Sequence, residues 1–168
     1  KHPDANHNLG VLMFSKNRFA DALPLFKVAT EINPQIEIFW MSYGYALISE
    51  KKYTEAEECY KKILELNPTN TQALNNIGII LRNNNRLNEA EASYKKAIKY
   101  KPDFVDAHFN LGVVLKELDR LSEAEIILKK TIEIKPDYAE AYSILGETLE
   151  ALDRLSEAEI ILKKTVKI

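Results

Sequence analysis

Small and large apolar residues alternate along this chain at helical spacing, and the alternation recurs at a fixed interval. A bulky residue follows four positions after each of five alanines, which are Ala22, Ala56, Ala90, Ala124 and Ala158; the bulky partners are Phe26, Tyr60, Tyr94, Leu128 and Leu162. Residues four apart share one face of a helix. The pattern therefore predicts helices that each bury one apolar stripe.

Proline and glycine keep the same interval. Four prolines are 34 residues apart, as are all five glycines of the chain: Pro34, Pro68, Pro102, Pro136, and Gly10, Gly44, Gly78, Gly112, Gly146. A fixed period of this size is typical of a solenoid of helical hairpins. Because every glycine belongs to the repeat, none is left for a phosphate-binding loop.

The period predicts an all-α fold of five antiparallel helix hairpins that form a single array over residues 1–168. Each hairpin contains a first helix A and a second helix B, and the predicted repeats span residues 3–36, 37–70, 71–104, 105–138 and 139–168, the last one truncated. The glycines lie in the interior of helix A, where glycine costs roughly 1 kcal/mol relative to alanine. We therefore expect close contact between helices A and B at each glycine.

Polar residues indicate where the helices begin and end. A residue with a capping side chain precedes a glutamate by three positions in four repeats, which predicts capping boxes at the start of helix B: Thr54 with Glu57, Asn88 with Glu91, Ser122 with Glu125, and Ser156 with Glu159. Short turns between A and B are predicted at Asn17-Arg18, Lys51-Lys52, Asn85-Arg86, Asp119-Arg120 and Asp153-Arg154.

Charge and cysteine content limit the kinds of partner. The formal net charge is -2, so the chain has no strong positive field, and nucleic acid is not expected as a partner. Cys59 is the only cysteine, which excludes an internal disulfide and a thiolate metal cluster and fits a cytoplasmic protein. The longest apolar stretch, residues 38–48, is too short to cross a membrane. The sequence starts at Lys1 and shows no apolar targeting segment, so we expect any such segment to be removed or absent.

No candidate reaction centre stands out. None of His2, His7 and His108 is paired with another ligand at a metal-binding helical interval, so we expect no metal, no cofactor and no enzymatic activity. His108 occupies the helix A position held by Trp40 and Tyr142 in other repeats. We therefore expect it to pack between hairpins.

The second repeat resembles the tetratricopeptide repeat family at Trp40, Gly44, Ala56, Tyr60 and Pro68. A weaker similarity, in the Asn-Leu-Gly and Pro-Asp-Tyr-Ala-Glu-Ala segments, links the chain to bacterial arrays like the repeat region of O-linked N-acetylglucosamine transferases. Family resemblance implies a right-handed superhelical solenoid whose A helices line a concave groove that binds a peptide or protein segment. Two alternatives are a substrate-recognition module cut from a larger transferase and a self-associating repeat module.

The resemblance also implies which side chains face the groove. They lie two residues before each glycine, one after it and four after it, and Met41 is added to them: Asn8, Val11, Phe14, Met41, Ser42, Tyr45, Ile48, Asn76, Ile79, Arg82, Asn110, Val113, Lys116, Ile144, Glu147 and Glu150. Three asparagines in this set form a partial ladder that could bond a peptide backbone. Simple solvation of these asparagines is the alternative.

The predicted groove changes in polarity along the chain. Phe14, Met41, Tyr45 and Ile48 are expected to be exposed in the first two repeats, whereas the last two offer Asp106, Glu117, Glu140, Glu147 and Glu150. This pattern favours a ligand with an apolar anchor and a basic end, although acidic residues on a helix face are also explained by solvation. An uncovered apolar face near Ile160, Ile161 and Leu162 further predicts a homo-oligomer through the array ends.

Overall fold

A computed structural model describes residues 2–165 and shows ten helices in that range. They are α1 (Pro3–Ser15), α2 (Phe19–Ile32), α3 (Glu37–Ser49), α4 (Tyr53–Leu66), α5 (Thr71–Asn83), α6 (Leu87–Tyr100), α7 (Val105–Glu117), α8 (Leu121–Ile134), α9 (Ala139–Ala151) and α10 (Leu155–Thr165). No strand occurs among the described residues. The prediction of an all-helical fold is confirmed. Residues 166–168 of the predicted last repeat lie outside the described residues, as does Lys1.

The odd-numbered helices are the A helices and the even-numbered ones the B helices. The chain divides into two compact units, of which the first ends at Ile80 and the second begins at Leu81, within α5. In the first unit α1 packs on α2 and α3 packs on α4, and in the second α7 packs on α8 and α9 on α10. Three B helices also pack on the A helix that follows them, namely α2 on α3, α6 on α7 and α8 on α9.

The predicted polar turns join helix A to helix B in every hairpin. The first residue of each turn has a positive φ of 57° to 59°: Asn17, Lys51, Asn85, Asp119 and Asp153. At the end of α3, the Lys52 amide donates to the Leu47 carbonyl at 2.8 Å and the Lys51 amide donates to the Ile48 carbonyl at 2.9 Å. This is the Schellman arrangement, which satisfies the last carbonyls of a helix. Because the turn is so short, helix B runs back along helix A.

The predicted capping boxes are wrong. Helix α4 begins at Tyr53 and not after Thr54, and Lys52 at its N-cap makes no side-chain capping bond. The same holds for Arg86 before α6 and Arg120 before α8. The Schellman turn fixes the start of helix B two residues earlier than assumed, so the Thr, Asn and Ser side chains lie within the first turn.

Helices A and B approach closely at the glycines, as predicted. A Cβ atom added to Gly44 would lie 2.7 Å from Cζ of Tyr60, and one added to Gly112 would lie 2.7 Å from Cγ of Leu128. Such distances are shorter than a carbon–carbon contact allows. At Gly10, Gly44, Gly112 and Gly146, the large residue of helix B thus fills the space that the glycine of helix A leaves open.

The core of the first unit includes the lone cysteine. Cys59 is 2% exposed and packs with Tyr60 and Ile63 of the same helix and with Ala73 of α5. Burial raises the pKa of its thiol to about 12, and the carboxylates of Glu55 and Glu58 add to the shift. A thiol in this state is a poor nucleophile. Cys59 therefore acts as a small apolar core residue.

Candidate functional site

Helices α1 and α3 form an open apolar cleft in the first unit. It has a volume of about 160 Å³ and is lined by Val11 and Phe14 of α1, Ser42 and Tyr45 of α3, and Phe26 of α2. We call these five residues the first-unit cleft. Val11 and Tyr45 are 44% and 38% exposed, whereas Phe26 is buried beneath them. Four predicted groove residues are thus brought together around one hollow.

A polar pair lies at the edge of the first-unit cleft. Nε2 of His7 and Oγ of Ser42 are 2.9 Å apart. The imidazole of His7 also packs against the aromatic rings of Phe39, with centroids 4.9 Å apart, and Phe26, at 5.7 Å. The bond joins the neighbouring A helices α1 and α3 and fixes the orientation of the Ser42 hydroxyl. Sequence reasoning missed this pair, although its separation of 35 residues, one more than the repeat, is a detectable signal.

Two tyrosines connect the first-unit cleft to the core below it. The rings of Tyr45 and Tyr60 meet edge to face with centroids 6.2 Å apart. Tyr60 is fully buried, and its hydroxyl has no hydrogen-bond partner among the described residues. Burial raises the pKa of Tyr60, and the neighbouring Tyr45 and Cys59 add to the effect. Tyr60 therefore stays neutral and supports Tyr45 from beneath.

Met41 is buried, contrary to expectation. It is 6% exposed and belongs to the core, so the expectation that it is exposed toward a groove is wrong. Met41 precedes Ser42 by one residue on α3, so its side chain lies on a different face of the helix and points into the core formed with α4 and α5. Nδ2 of Asn76 donates a weak bond to Sδ of Met41 at 3.9 Å, and Asn76 is itself 5% exposed. Simple solvation therefore does not explain why an asparagine stands at position 76. Asn8, by contrast, is exposed, and Asn110 of the second unit is half-buried.

Ion pairs join neighbouring A helices in the second unit. Nε of Arg82 lies 2.9 Å from both carboxylate oxygens of Glu117, and Nη2 lies 2.5 Å from Oε1. Nζ of Lys116 bonds Oε2 of Glu147 in the same way. Three predicted groove residues are therefore engaged with neighbours. Two of the acidic residues expected to attract a basic ligand, Glu117 and Glu147, are already paired with a cation.

The other predicted residues of the second unit are dispersed. Val113 is 8% exposed. Ile144 lies with Glu140 and Glu147 around one hollow between α7, α9 and α10, whereas Glu150 lines a different one beside Leu155. The structure therefore does not bring Glu147 and Glu150 to a common hollow. Asp106 of the predicted acidic end is exposed. In the first unit, the predicted groove residue Ile48 is half-buried against the core and Ile79 is half-buried on α5.

His108 packs as its repeat equivalents do. In three repeats the side chain at this helix A position contacts the carbonyl of the proline six residues earlier: Trp40 Nε1 to Pro34 at 2.8 Å, His108 Nε2 to Pro102 at 2.8 Å, and Tyr142 OH to Pro136 at 3.1 Å. A carbonyl only accepts, so Nε2 of His108 carries the proton. The side chain thus fastens the start of helix A to the segment before it. Among the described residues, no cluster of His, Cys, Asp or Glu is arranged to hold a metal ion.

None of the helices described here combines the length and apolar character needed to span a membrane.

Four models of repeat families match the sequence. One described as TPR repeat matches residues 78–119, and three described as tetratricopeptide repeat match residues 40–70, 59–92 and 105–138. Together these matches run without a gap over more than half of the chain. No curated protein sequence matches the chain significantly.

Solved structures similar to this chain are helical repeat proteins. MamA from Desulfovibrio magneticus RS-1 superposes with a TM-score of 0.88 at 18% identity, over 98% of this chain and 93% of that one. PilW, described as a widely conserved type IV pilus biogenesis factor, gives 0.88 at 21% identity, over 99% of this chain and 78% of that one. YrrB, described as a TPR protein with an unusual peptide-binding site, gives 0.74 at 22% identity, over 96% and 84%. At these identities the likeness shows the fold alone.

Proposed function

The chain belongs to the tetratricopeptide repeat family, and we propose that it binds an extended peptide or protein segment along its A helices, with an apolar side chain of the ligand seated in the first-unit cleft. The family and the helical repeat fold support a general protein-binding role. The convergence of Val11, Phe14, Ser42 and Tyr45 around one open apolar hollow carries the more specific proposal.

The first-unit cleft has the chemistry of an anchor site. Its walls are aliphatic and aromatic, and a ligand side chain that fills it would remove Val11 and Tyr45 from water. Burial of a side chain the size of leucine or phenylalanine contributes about 1.5–3 kcal/mol. The Ser42 hydroxyl, held by His7, adds a polar group at the edge where a peptide backbone would pass.

The charge of the ligand is a second part of the proposal. Asp106, Glu140 and Glu150 are exposed, and they favour a basic segment near the second unit. The pairing of Glu117 with Arg82 and of Glu147 with Lys116 reduces the net negative charge there. We therefore place the binding energy for an apolar side chain in the first-unit cleft, and we assign to the exposed acidic residues of the second unit a separate preference for basic segments.

The scaffold that we propose lies in the cytoplasm, has no catalytic activity and does not bind nucleic acid. The net charge of -2 supports the last point, because phosphate backbones require a positive surface. Cys59 is free and buried, which fits a reducing compartment.

Selection of peptides from a random displayed library tests the proposal directly. We expect the selected peptides to share an apolar or aromatic residue. Their affinity for the Val11→Asp variant should be at least about tenfold lower than for the native chain, because the bound apolar side chain would bury the aspartate carboxylate. Binding is measured by fluorescence anisotropy with synthetic peptides. Ile126→Asp is the matched control, since Ile126 is 67% exposed and lies on α8, outside the first-unit cleft.

Circular dichroism establishes that both variants are folded. Peptides that bind Val11→Asp as tightly as the native chain would contradict the assignment of the first-unit cleft. Failure to select any peptide would contradict peptide binding itself.

A further inference from the structure

Three aromatic rings from three different helices line the first-unit cleft. They are Phe14 of α1, Phe26 of α2 and Tyr45 of α3, and we call them the cleft rings. Phe26 is 1% exposed and lies at the bottom, whereas Tyr45 is 38% exposed and Phe14 is half-buried. The cleft rings therefore border the hollow on α1, on α3 and beneath them.

Two of the cleft rings are held by rings outside the cleft. The Phe14 ring lies against that of Phe19 with centroids 5.0 Å apart and planes at 58°. The Tyr45 ring meets that of Tyr60 at 6.2 Å and 73°. Aromatic pairs favour such tilted contacts at about 4.5–7 Å, because the positive edge of one ring meets the negative face of the other. Phe14 and Tyr45 are therefore oriented in advance, which lowers the cost of binding.

The third cleft ring, Phe26, is fixed from two directions. Its Cε1 atom lies 2.7 Å from the place where a Cβ atom of Gly10 would be, so the ring lies directly against the backbone of α1. The imidazole of His7 packs against Phe26 at 5.7 Å and against Phe39 at 4.9 Å between centroids. The cleft thus has a rigid aromatic floor.

The cleft is open because of where its residues lie on the A helices. Val11 of α1 is 44% exposed, and Tyr45, at the equivalent position of α3, is 38% exposed. Helix α3 makes side-chain bonds both to α1 and to α5. This position therefore stays exposed on a helix A that has neighbouring A helices before and after it.

The equivalent positions of the second unit, three repeats later, carry no aromatic residue. Lys116, Leu128 and Glu147 stand there in place of Phe14, Phe26 and Tyr45. Nζ of Lys116 bonds Oε2 of Glu147, so an ion pair joins α7 and α9 where the first unit has two of its cleft rings. The aromatic lining is thus a property of the first unit and not of the repeat.

We propose that the ligand side chain seated in the first-unit cleft is a neutral aromatic ring, that of phenylalanine, tyrosine or tryptophan. This inference rests on the proposed binding of a ligand side chain in the cleft and narrows it to one chemical class. A ligand ring meets Phe14, Phe26 and Tyr45 in the same tilted contacts that these rings make with their neighbours in the protein. An aliphatic side chain gains from burial alone.

A cation is the other group that aromatic rings attract. Among the described residues that line the cleft, none is a carboxylate, and the Ser42 hydroxyl is bonded to His7. A lysine or arginine side chain would lose its hydration there without gaining an opposite charge. The lining therefore favours a neutral ring over a cation.

Replacement of the ring in a bound peptide tests the proposal. The probes are synthetic copies of library peptides whose affinity falls at least about tenfold with Val11→Asp, since these occupy the cleft. We expect them to share phenylalanine, tyrosine or tryptophan. Replacement of that residue by cyclohexylalanine should weaken binding by about threefold to tenfold, measured by fluorescence anisotropy, because the contacts between rings are lost. Burial alone predicts equal or tighter binding, because cyclohexylalanine buries no less apolar surface.

A variant of the protein tests whether the cleft rings cause the preference. Tyr45→Leu should lower the ratio of the two peptide affinities by about twofold or more, because one ring of the lining is gone. Tyr100→Leu is the matched control, since Tyr100 is 43% exposed and lies on α6 in the second unit. We expect the control to leave the ratio unchanged, and circular dichroism checks that both variants are folded.

The outcomes separate this inference from the proposed function. Peptides that depend on Val11 but share an aliphatic or a basic residue would overturn the aromatic preference and leave the binding site in place. So would equal affinity of the cyclohexylalanine peptide, or an equal effect of Tyr45→Leu and Tyr100→Leu on the ratio. If no selected peptide depends on Val11, the first-unit cleft is not the binding site and both proposals fail.

Discussion

At the scale of single residues, the array depends on where it places glycine. Four glycines, at positions 10, 44, 112 and 146, lie inside the A helices against a large side chain of helix B, while the left-handed positions of the turns carry Asn, Asp or Lys. Asparagine and aspartate tolerate a positive φ better than other residues with a side chain. The glycines are thus required for close packing between helices and not for backbone freedom.

Replacement of Gly44 by valine tests this requirement. We expect Gly44→Val to lower the free energy of unfolding by about 2 kcal/mol or more, because the added methyl groups collide with the buried ring of Tyr60, which lies 2.7 Å from the Cβ position. Urea denaturation followed by circular dichroism measures the loss. Ser49→Val, at an exposed position of the same helix, should change stability by less than about 0.5 kcal/mol. A loss in Gly44→Val no larger than that in Ser49→Val would contradict the packing requirement, because helix propensity alone favours valine over glycine.

At the scale of helices, ionic contacts hold successive hairpins of the second unit together. Burial by itself would raise the pKa of Glu91, but its bonds with Lys95 and Arg120 outweigh burial and hold the pKa below its usual value. For Glu125, the bond with Lys129 is the largest cause of a lowered pKa, burial opposes it, and the bond with Arg154 lowers it further. The ionised carboxylates therefore stabilise the folded state.

These lowered pKa values predict how stability depends on pH. A carboxyl whose pKa is lower in the folded state stabilises the protein above its unfolded pKa, about 4.3 for glutamate, and the stabilisation is lost as pH falls through the folded pKa. We expect Glu125→Gln to be less stable than the native chain by about 1 kcal/mol at pH 7. Below about pH 4 the difference should shrink toward zero, because the native carboxyl is then also neutral.

Thermal denaturation from pH 3 to pH 7 measures this difference. Glu133→Gln is the control, since Glu133 is exposed and, among the described residues, pairs only with Lys130 of its own helix. We expect it to change stability by less than about 0.5 kcal/mol. If Glu125→Gln loses the same stability at every pH, the loss comes from changed packing and not from the missing charge.

At the scale of the whole molecule, stability is distributed over neighbouring hairpins. The chain forms two compact units, and the helices within a unit pack mainly on neighbours in sequence, as α1 does on α2 and α8 on α9. In such an array the free energy is approximately a sum of repeat terms and terms between neighbours. Damage at one hairpin should therefore remain local under native conditions.

Amide hydrogen exchange in two matched variants measures this locality. We expect Gly112→Val, which places its side chain against Leu128, to raise exchange rates in α7 and α8 by at least about tenfold and to leave α1 and α2 unchanged. Gly44→Val should instead raise the exchange rates in α3 and α4 and leave those in α8 and α9 unchanged. Uniform acceleration across all ten described helices in either variant would indicate that the chain unfolds as one cooperative unit.

The sequence determined the helices, the hairpin turns and the contacts at glycine. These features repeat with one period, and each depends on local geometry, so residue types at fixed intervals suffice to predict them. The capping boxes were mispredicted because a side chain that can cap does so only if the backbone ends there. The Schellman turn at Lys51 and Lys52 sets the helix start, two residues before Thr54 could act.

Which side chains remain available on the surface depends on how the helices pack, and the repeat pattern did not predict it. Met41 follows the groove pattern in sequence but is buried, and Lys116 and Glu147 pair with each other across neighbouring helices. The contact of His7 with Ser42 likewise depends on which helix lies beside α1. A repeat pattern specifies the same face in every unit, whereas exposure and pairing depend on neighbours that differ from one repeat to the next.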